Sequence, residues 1–394
     1  MAIAQRVRQY MHAASWIRGM FEEGLRLKQQ FGEDNVFDFS LGNPVIDPPP
    51  QFYEVLRKLA QEPRAGMHRY MPNIGYVETR AAFAAQLAQD TGVPFTEGHI
   101  VMVVGAAGGL NVVLKTLLDP GDEVIIFSPY FVEYHFYVEN HQGVSKVVPT
   151  DAQFNLDLGA LAGALSARTK VVLINSPNNP SGVVYPAETI QALGELLRQK
   201  QEEFQTQIYL LSDEPYKKLL FDSLTYPEVY AYYANSIVVT SHAKDLALPG
   251  ERIGYIATNP ACADVRELQD GFSFANRTLG FVNAPALMQH VITHLQGVTI
   301  DVGVYERKRD VFCDNLAAMG YEFVRPQGAF YIFPRAPIPD DVAFVKALQQ
   351  RRILTVPGSG FGTPGYFRIA YCVEDRTIEW ALGGFRDVAR EYGL

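Results

Sequence analysis

Seven short runs of β-branched and aliphatic residues recur through the middle of the chain, and they constrain its fold more than any other feature. They are Ile100–Val104, Glu123–Phe127, Val144–Val148, Lys170–Ile174, Ile208–Leu211, Ser236–Thr240 and Ile253–Ala257. Most are apolar at successive positions, where a half-buried strand would be apolar at every second one. Such a strand must be covered on both faces. Helical stretches between the runs, among them Gly109–Leu118 and Pro186–Gln201, can supply that cover. The pattern predicts an α/β fold whose large unit is a seven-stranded, mainly parallel sheet between helices.

After about residue 290 the pattern changes. A long helix near Asp301–Met319 precedes strands at Tyr321–Val324 and Ala329–Phe333. A helix near Asp341–Arg351, strands at Ile353–Val356 and Tyr366–Tyr371, and a last helix Glu374–Tyr392 follow. These elements read as a smaller α+β unit, with an N-terminal helix Ala14–Phe31 packed beside it. The expected division is residues 45–290 for the large domain, and 1–44 with 291–394 for the small one, so that both chain ends build the small domain.

Composition narrows the function classes. The formal net charge of -9 argues against general affinity for nucleic acid or anionic membrane, though not against a locally positive pocket. Cys262, Cys313 and Cys372 are odd in number and show no metal-ligand spacing, so no disulfide framework and no metal site are expected, and a reducing cytoplasm is the natural compartment. No apolar run reaches the length of a membrane span, and the N-terminal segment lacks the continuous apolar stretch of a signal peptide.

In open α/β sheets ligands bind beyond the carboxyl ends of the strands, so the loops there are where chemistry is expected. Gly105-Ala106-Ala107-Gly108-Gly109 follows the first run. Its small residues suit either an anion cradle at a helix start or a tight packing turn. Asn175-Ser176-Pro177-Asn178-Asn179-Pro180-Ser181-Gly182 is a rigid polar loop. Asp213-Glu214-Pro215-Tyr216 offers an acid and a phenol facing a pocket, but on its own reads more simply as a helix start. Lys244 lies beyond the Ser236–Thr240 run, flanked by Ala243 and Leu246, where desolvation would make its amine nucleophilic. Arg252 precedes an apolar run and needs an anionic partner. Arg368, in the apolar Tyr366–Tyr371 run, is either an interface salt bridge or a clamp for a carboxylate, which its fork pairs in bidentate fashion.

Taken in order, these segments resemble the class I/II aminotransferases of pyridoxal 5′-phosphate (PLP) fold type I over nearly the whole chain. The most specific part is Ser241-His242-Ala243-Lys244 with Arg252-Ile253-Gly254-Tyr255 following; the Asn175–Gly182 loop before a strand that ends in Asp213 is as telling. Leu41-Gly42-Asn43-Pro44, the segment Tyr70–Gly75 and Gln327-Gly328-Ala329-Phe330-Tyr331 match further family motifs. The resemblance implies that Lys244 holds PLP as a Schiff base and later carries a proton, that Asp213 pairs with the pyridine nitrogen, and that Tyr216 and Asn179 bond the phenolic oxygen. It implies that Ser241, Arg252 and the backbone of Ala106 and Ala107 hold the phosphate and that Phe131 stacks on the ring. Arg368, with Asn179 and the Gly42 loop, would receive the substrate carboxylate. Tyr70 would reach the phosphate of a neighbouring subunit, so a homodimer with shared sites is expected, acting on an amino acid and a 2-oxoacid.

Departures from the family bear on the substrate. Ala107 stands where one aspartate-using subgroup carries a Lys for the distal carboxylate. Arg277 lies in the segment from which another subgroup supplies a partner-subunit Arg, one residue out of register. An aspartate or broad amino-acid specificity is therefore open. A different PLP reaction, such as that of a β-eliminating lyase, is the alternative on the same scaffold. A non-catalytic ligand sensor is disfavoured by the intact Lys244 and by the short stretch before Gly42.

Overall fold

The computed structural model describes residues 2–13 and 15–394. Seven strands form one sheet: β1 (Ile100–Val103), β2 (Glu123–Ser128), β3 (Val144–Pro149), β4 (Thr169–Asn175), β5 (Tyr209–Asp213), β6 (Ser236–Ser241) and β7 (Gly254–Thr258). Each expected run lies within a residue or two of an observed strand. The spatial order is β1-β7-β6-β5-β4-β2-β3. Only β7 is antiparallel to its neighbours.

Side-chain alternation explains why the runs are apolar throughout. Val101, Val103, Val124, Ile126, Val171 and Leu173 point into one core with the helices Gly105–Leu117 and Val265–Thr278. Ile100, Met102, Ile125, Phe127, Val172 and Ile174 point into the other, with the helices Val77–Thr91, Ala187–Phe204 and Ala286–Thr293. Successive residues face opposite sides of a strand, and both sides are covered.

Another core holds the chain ends together. The helices Val302–Ala318, Asp341–Gln350 and Asp375–Glu391 pack on a three-stranded antiparallel sheet of Val356–Pro357, Phe367–Ala370 and Tyr331–Ile332. Phe39, from the N-terminal part, is fully buried there against Phe312 and Phe385. Tyr216, Leu219 and Phe221, from just beyond β5, join this same core. The segment after the central sheet's β5 therefore brings the two bodies of apolar packing together beside Asp213.

The structure corrects three expectations. Tyr321–Val324 is not a strand: Tyr321 and Phe323 pack against the helices through their side chains, without a neighbouring ladder. Asp213-Glu214-Pro215 does not start a helix but leads into a turn. The glycine-rich segment after β1 is not a loop, because the helix begins at Gly105 itself. Ala14, the first residue of the expected N-terminal helix, lies outside the described residues, and a helix runs over Ser15–Phe31. Among the described residues no helix is long and apolar enough to cross a membrane.

Candidate active site

Strand register places the polar strand ends in a row. Asn175, the last residue of β4, is paired with Asp213, the last of β5. Ser241 ends β6 and pairs with Gly254, which pairs in turn with Val103 of β1. Because β7 runs the other way, its beginning sits at this edge. That keeps the whole segment after β6, from Ser241 through Lys244 to Arg252, at the site. Gly42, Ala106, Ala107, Phe131, Asn179, Asp213, Tyr216, Ser241, Lys244, Arg252 and Arg368 all line one cleft of ≈ 350 Å³.

Lys244 lies in a short helix, His242–Asp245, that starts directly from the end of β6. Its amine donates to the carbonyl of Gly42 and lies 5.3 Å from the Phe330 ring centroid. Burial brings its pKa down to about 8, with Arg368 and Arg252 acting in the same direction and Cys372 opposing. Near that pH much of the amine is neutral and able to attack a carbonyl carbon. Gly42 cannot carry a side chain, since a Cβ there would lie 2.0 Å from the Tyr331 hydroxyl.

Asp213 is buried at the floor of the cleft. Tyr134 donates to its Oδ2 at 2.6 Å, while Oδ1 has no protein partner. Burial pushes the carboxyl up to about 7, against the lowering effect of the Tyr134 bond. A buried carboxylate with one unused oxygen is costly unless a donor completes it. Asn175 fixes the adjacent backbone by donating to the Asp213 carbonyl at 2.9 Å and accepting from the Asn179 amide at 2.7 Å.

Arg368 comes from the strand Phe367–Ala370 of the second core. It donates to Asn179 Oδ1 at 3.0 Å and to the Ser40 carbonyl at 2.6 Å, and its Nε is buried without a protein partner. Its guanidinium lies 4.8 Å from the ring centroids of both Tyr331 and Phe361. Packing against two rings holds the fork still, and the unpartnered Nε leaves a donor for an incoming carboxylate. Tyr216 bonds Tyr331 through their hydroxyls at 2.7 Å, tying the β5 turn to the same wall.

A third corner suits an anion. The helix Gly105–Leu117 opens into the cleft at Ala106 and Ala107, and its first N–H groups lack helical partners. Gly105 has φ +69°, and a Cβ on it would lie 2.7 Å from Arg252 Nη2. The guanidinium of Arg252 is therefore packed onto the helix start, with Ser241 lining the same cleft. Three cations, Lys244, Arg252 and Arg368, outnumber the two carboxyl groups of the cleft, Glu133 and Asp213, in a chain that is acidic as a whole.

Two expected residues are not brought to the cleft by their own chain. Tyr70 is 90% exposed, and Arg277 is exposed on the helix Val265–Thr278 beside Phe274. Conversely, Tyr134, Phe361 and Ser40 serve the site without any local sequence signal, and Tyr331 was visible only as part of a motif.

The geometry can be set beside known proteins. The family model for aminotransferase class I and II matches residues 34–385. The chain belongs to that family. Its members act on amino acids and 2-oxoacids and are in general PLP-dependent, which makes this chain an aminotransferase. The aspartate/prephenate aminotransferase of Thermus thermophilus is 32% identical, over 93% of this chain and 94% of the relative. An aminotransferase crystal structure from Eubacterium rectale superposes with a TM-score of 0.96 at 38% identity, covering 100% of both chains. The Thermus thermophilus aspartate aminotransferase with maleate gives a TM-score of 0.86 at 28% identity, covering 98% of this chain and 100% of that one.

Proposed function

We propose that this aminotransferase holds PLP in the cleft, bonded through Lys244, and that the residues around it divide the work of moving an amino group from an α-amino acid to a 2-oxoacid. The observation that carries the reading is the unpaired Oδ1 of buried Asp213 in the same cleft as a lysine amine of lowered pKa. The pyridinium N–H is a donor of the kind that oxygen lacks, and its positive charge would restore Asp213 to the ionised form. The corner formed by Ser241, Arg252 and the backbone of Ala106 and Ala107 has the donors a phosphate requires. The residues present fit the cofactor.

When bound, PLP supplies an electron sink for charge developing at the substrate Cα. The Lys244 amine, when free, would take the Cα proton as a base and give it up again as the ammonium acid. Tyr216 and Asn179 would donate to the cofactor's phenolic oxygen, and Phe131 would pack on its face. Arg368, assisted by Asn179 and the Gly42 loop, orients the α-carboxylate so that the Cα proton faces Lys244. We further propose the division into residues 45–290 and 1–44 with 291–394. The three cysteines are all free and buried, which supports a cytoplasmic setting. A homodimer would give exposed Tyr70 a neighbour's site to reach. Arg277 would read a distal carboxylate only from such a neighbour.

Single-turnover spectroscopy tests the reaction type. Given an amino acid alone, the enzyme is expected to stop after one equivalent of oxoacid and to return on adding a 2-oxoacid. Continuous release of ammonia without an acceptor would instead establish a β-eliminating lyase.

A further inference from the structure

Five charged side chains line the cleft: Glu133, Asp213, Lys244, Arg252 and Arg368. Four of them have roles in the proposed function. Glu133 is left over. It opens the helix Glu133–Asn140, two residues beyond Phe131, and is only half-buried. The face it shares is turned to the cleft: Tyr134 reaches Asp213 from one turn of this helix, and Tyr137 lines the cleft as well. Among the described residues the Glu133 carboxyl has no hydrogen-bond or ion-pair partner. Its carboxyl pKa is raised by burial, with no cation opposing the shift. A helix N-terminus favours a carboxylate in the first turn, which accounts for an acid there but not for its position against the cleft.

The same wall lacks what a second substrate carboxylate needs. Arg368 is committed to the α-carboxylate and Arg252 to the anion corner. Ala107 offers no charge, and Arg277 of the same chain lies outside the cleft. An aspartate side chain would bring a second anion toward an unpaired one, which is repulsive where water is partly excluded.

Resting on the function proposed above, we infer that Glu133 is a specificity residue: it accepts a hydrogen bond from the end of the substrate side chain. It selects donors ending in an ammonium or guanidinium group over those ending in a carboxylate. A cationic side chain would complete Glu133 as a charge-assisted pair, and the unpaired carboxylate would thereby select against the like-charged competitor.

The test compares kcat/KM of the holoenzyme for lysine, ornithine and arginine with that for aspartate and glutamate. Pyruvate is the fixed acceptor. Wild type is expected to favour the cationic set. Glu133→Gln is expected to lower the ratio of cationic to dicarboxylic donors at least about tenfold, the scale of one lost charge-assisted bond, and Glu133→Lys to reverse it. Glu133→Asp, which keeps the charge, should hold the preference, and bound-cofactor absorbance checks that each variant is folded and loaded. A wild type that prefers aspartate or glutamate overturns the inference, the more so if Arg277→Ala abolishes that preference. So does a ratio unchanged in Glu133→Gln, the result a purely helix-stabilising Glu133 would give. Failure of the underlying function looks different: no transamination of any donor and no cofactor on Lys244.

Discussion

At the scale of single residues, the site rests on two groups whose protonation is set by burial. Lys244 is one of 34 basic residues in the chain, and its apolar flanks alone do not make it catalytic. Its company does: Ser241 before it, Arg252 after it, Asp213 and Asn179 on neighbouring strand ends. All of these were legible because each sits within a short family motif and the motifs follow one another in the family's order. Tyr134 was not, since it is one of 21 tyrosines and its partner Asp213 lies 79 residues away. Asp213 also predicts a cost. Its folded pKa, about 7, is above the ordinary carboxylate value of 3.8. The folded cofactor-free protein therefore holds more protons than the unfolded chain between those values. Its stability is full below the lower one and declines as pH rises through the upper. Asp213→Asn removes the buried charge. Without cofactor it is expected to be more stable than wild type at pH 8, on the order of 2 kcal/mol, with the gap narrowing toward pH 4. Thermal melts across that range check the effect, and the variant should at the same time retain cofactor poorly.

At the scale of elements, strand positions were the most legible part of the fold, because full burial demands apolar residues at every position and leaves a strong signal. Direction was less so. The sequence does not mark β7 as antiparallel, yet that reversal puts Arg252 at the site. The segment from Gly105 to Gly109 read as a loop because glycines are poor helix formers. In the structure the first has a left-handed φ and makes room for Arg252, and the helix starts there regardless. Tyr321–Val324 has the aromatic and β-branched residues of a strand, but Tyr321 is buried and Phe323 half-buried against helices, and burial alone does not supply a pairing edge. Gly105→Ala tests the element. A side chain at left-handed φ costs about 1–2 kcal/mol, and the Cβ would displace the Arg252 guanidinium. Affinity of the cofactor-free enzyme for PLP, followed by fluorescence quenching, is expected to fall about tenfold or more, with inorganic phosphate competing less well. Unchanged affinity would show that this corner does not hold the phosphate.

At the scale of the whole molecule, the cleft is assembled from both bodies of packing, with Asp213 and Ser241 on the central sheet, Lys244 in the short helix that follows it, and Arg368 on the small antiparallel sheet. Residues so far apart converge only on folding, and motif order, not proximity, made the convergence visible. Tyr70 and Arg277 are a different case. Both are exposed and neither lines the cleft of its own chain, so their expected roles depend on a second copy, for which one chain's sequence carries only the resemblance. Mixing provides the check. Lys244→Ala and Tyr70→Ala subunits, each impaired alone, should regain activity when dissociated and reassociated together, since one site of the mixed dimer would have both residues intact. No gain on mixing, with mixed dimers verified by mass, would mean that the sites are not shared.

Lys244 is the residue through which the cofactor would be attached. Borohydride reduction of the PLP-loaded enzyme followed by peptide mapping is expected to find one reduced cofactor adduct, on Lys244, and none in Lys244→Ala. An adduct on another lysine, or equal trapping in the variant, would contradict it.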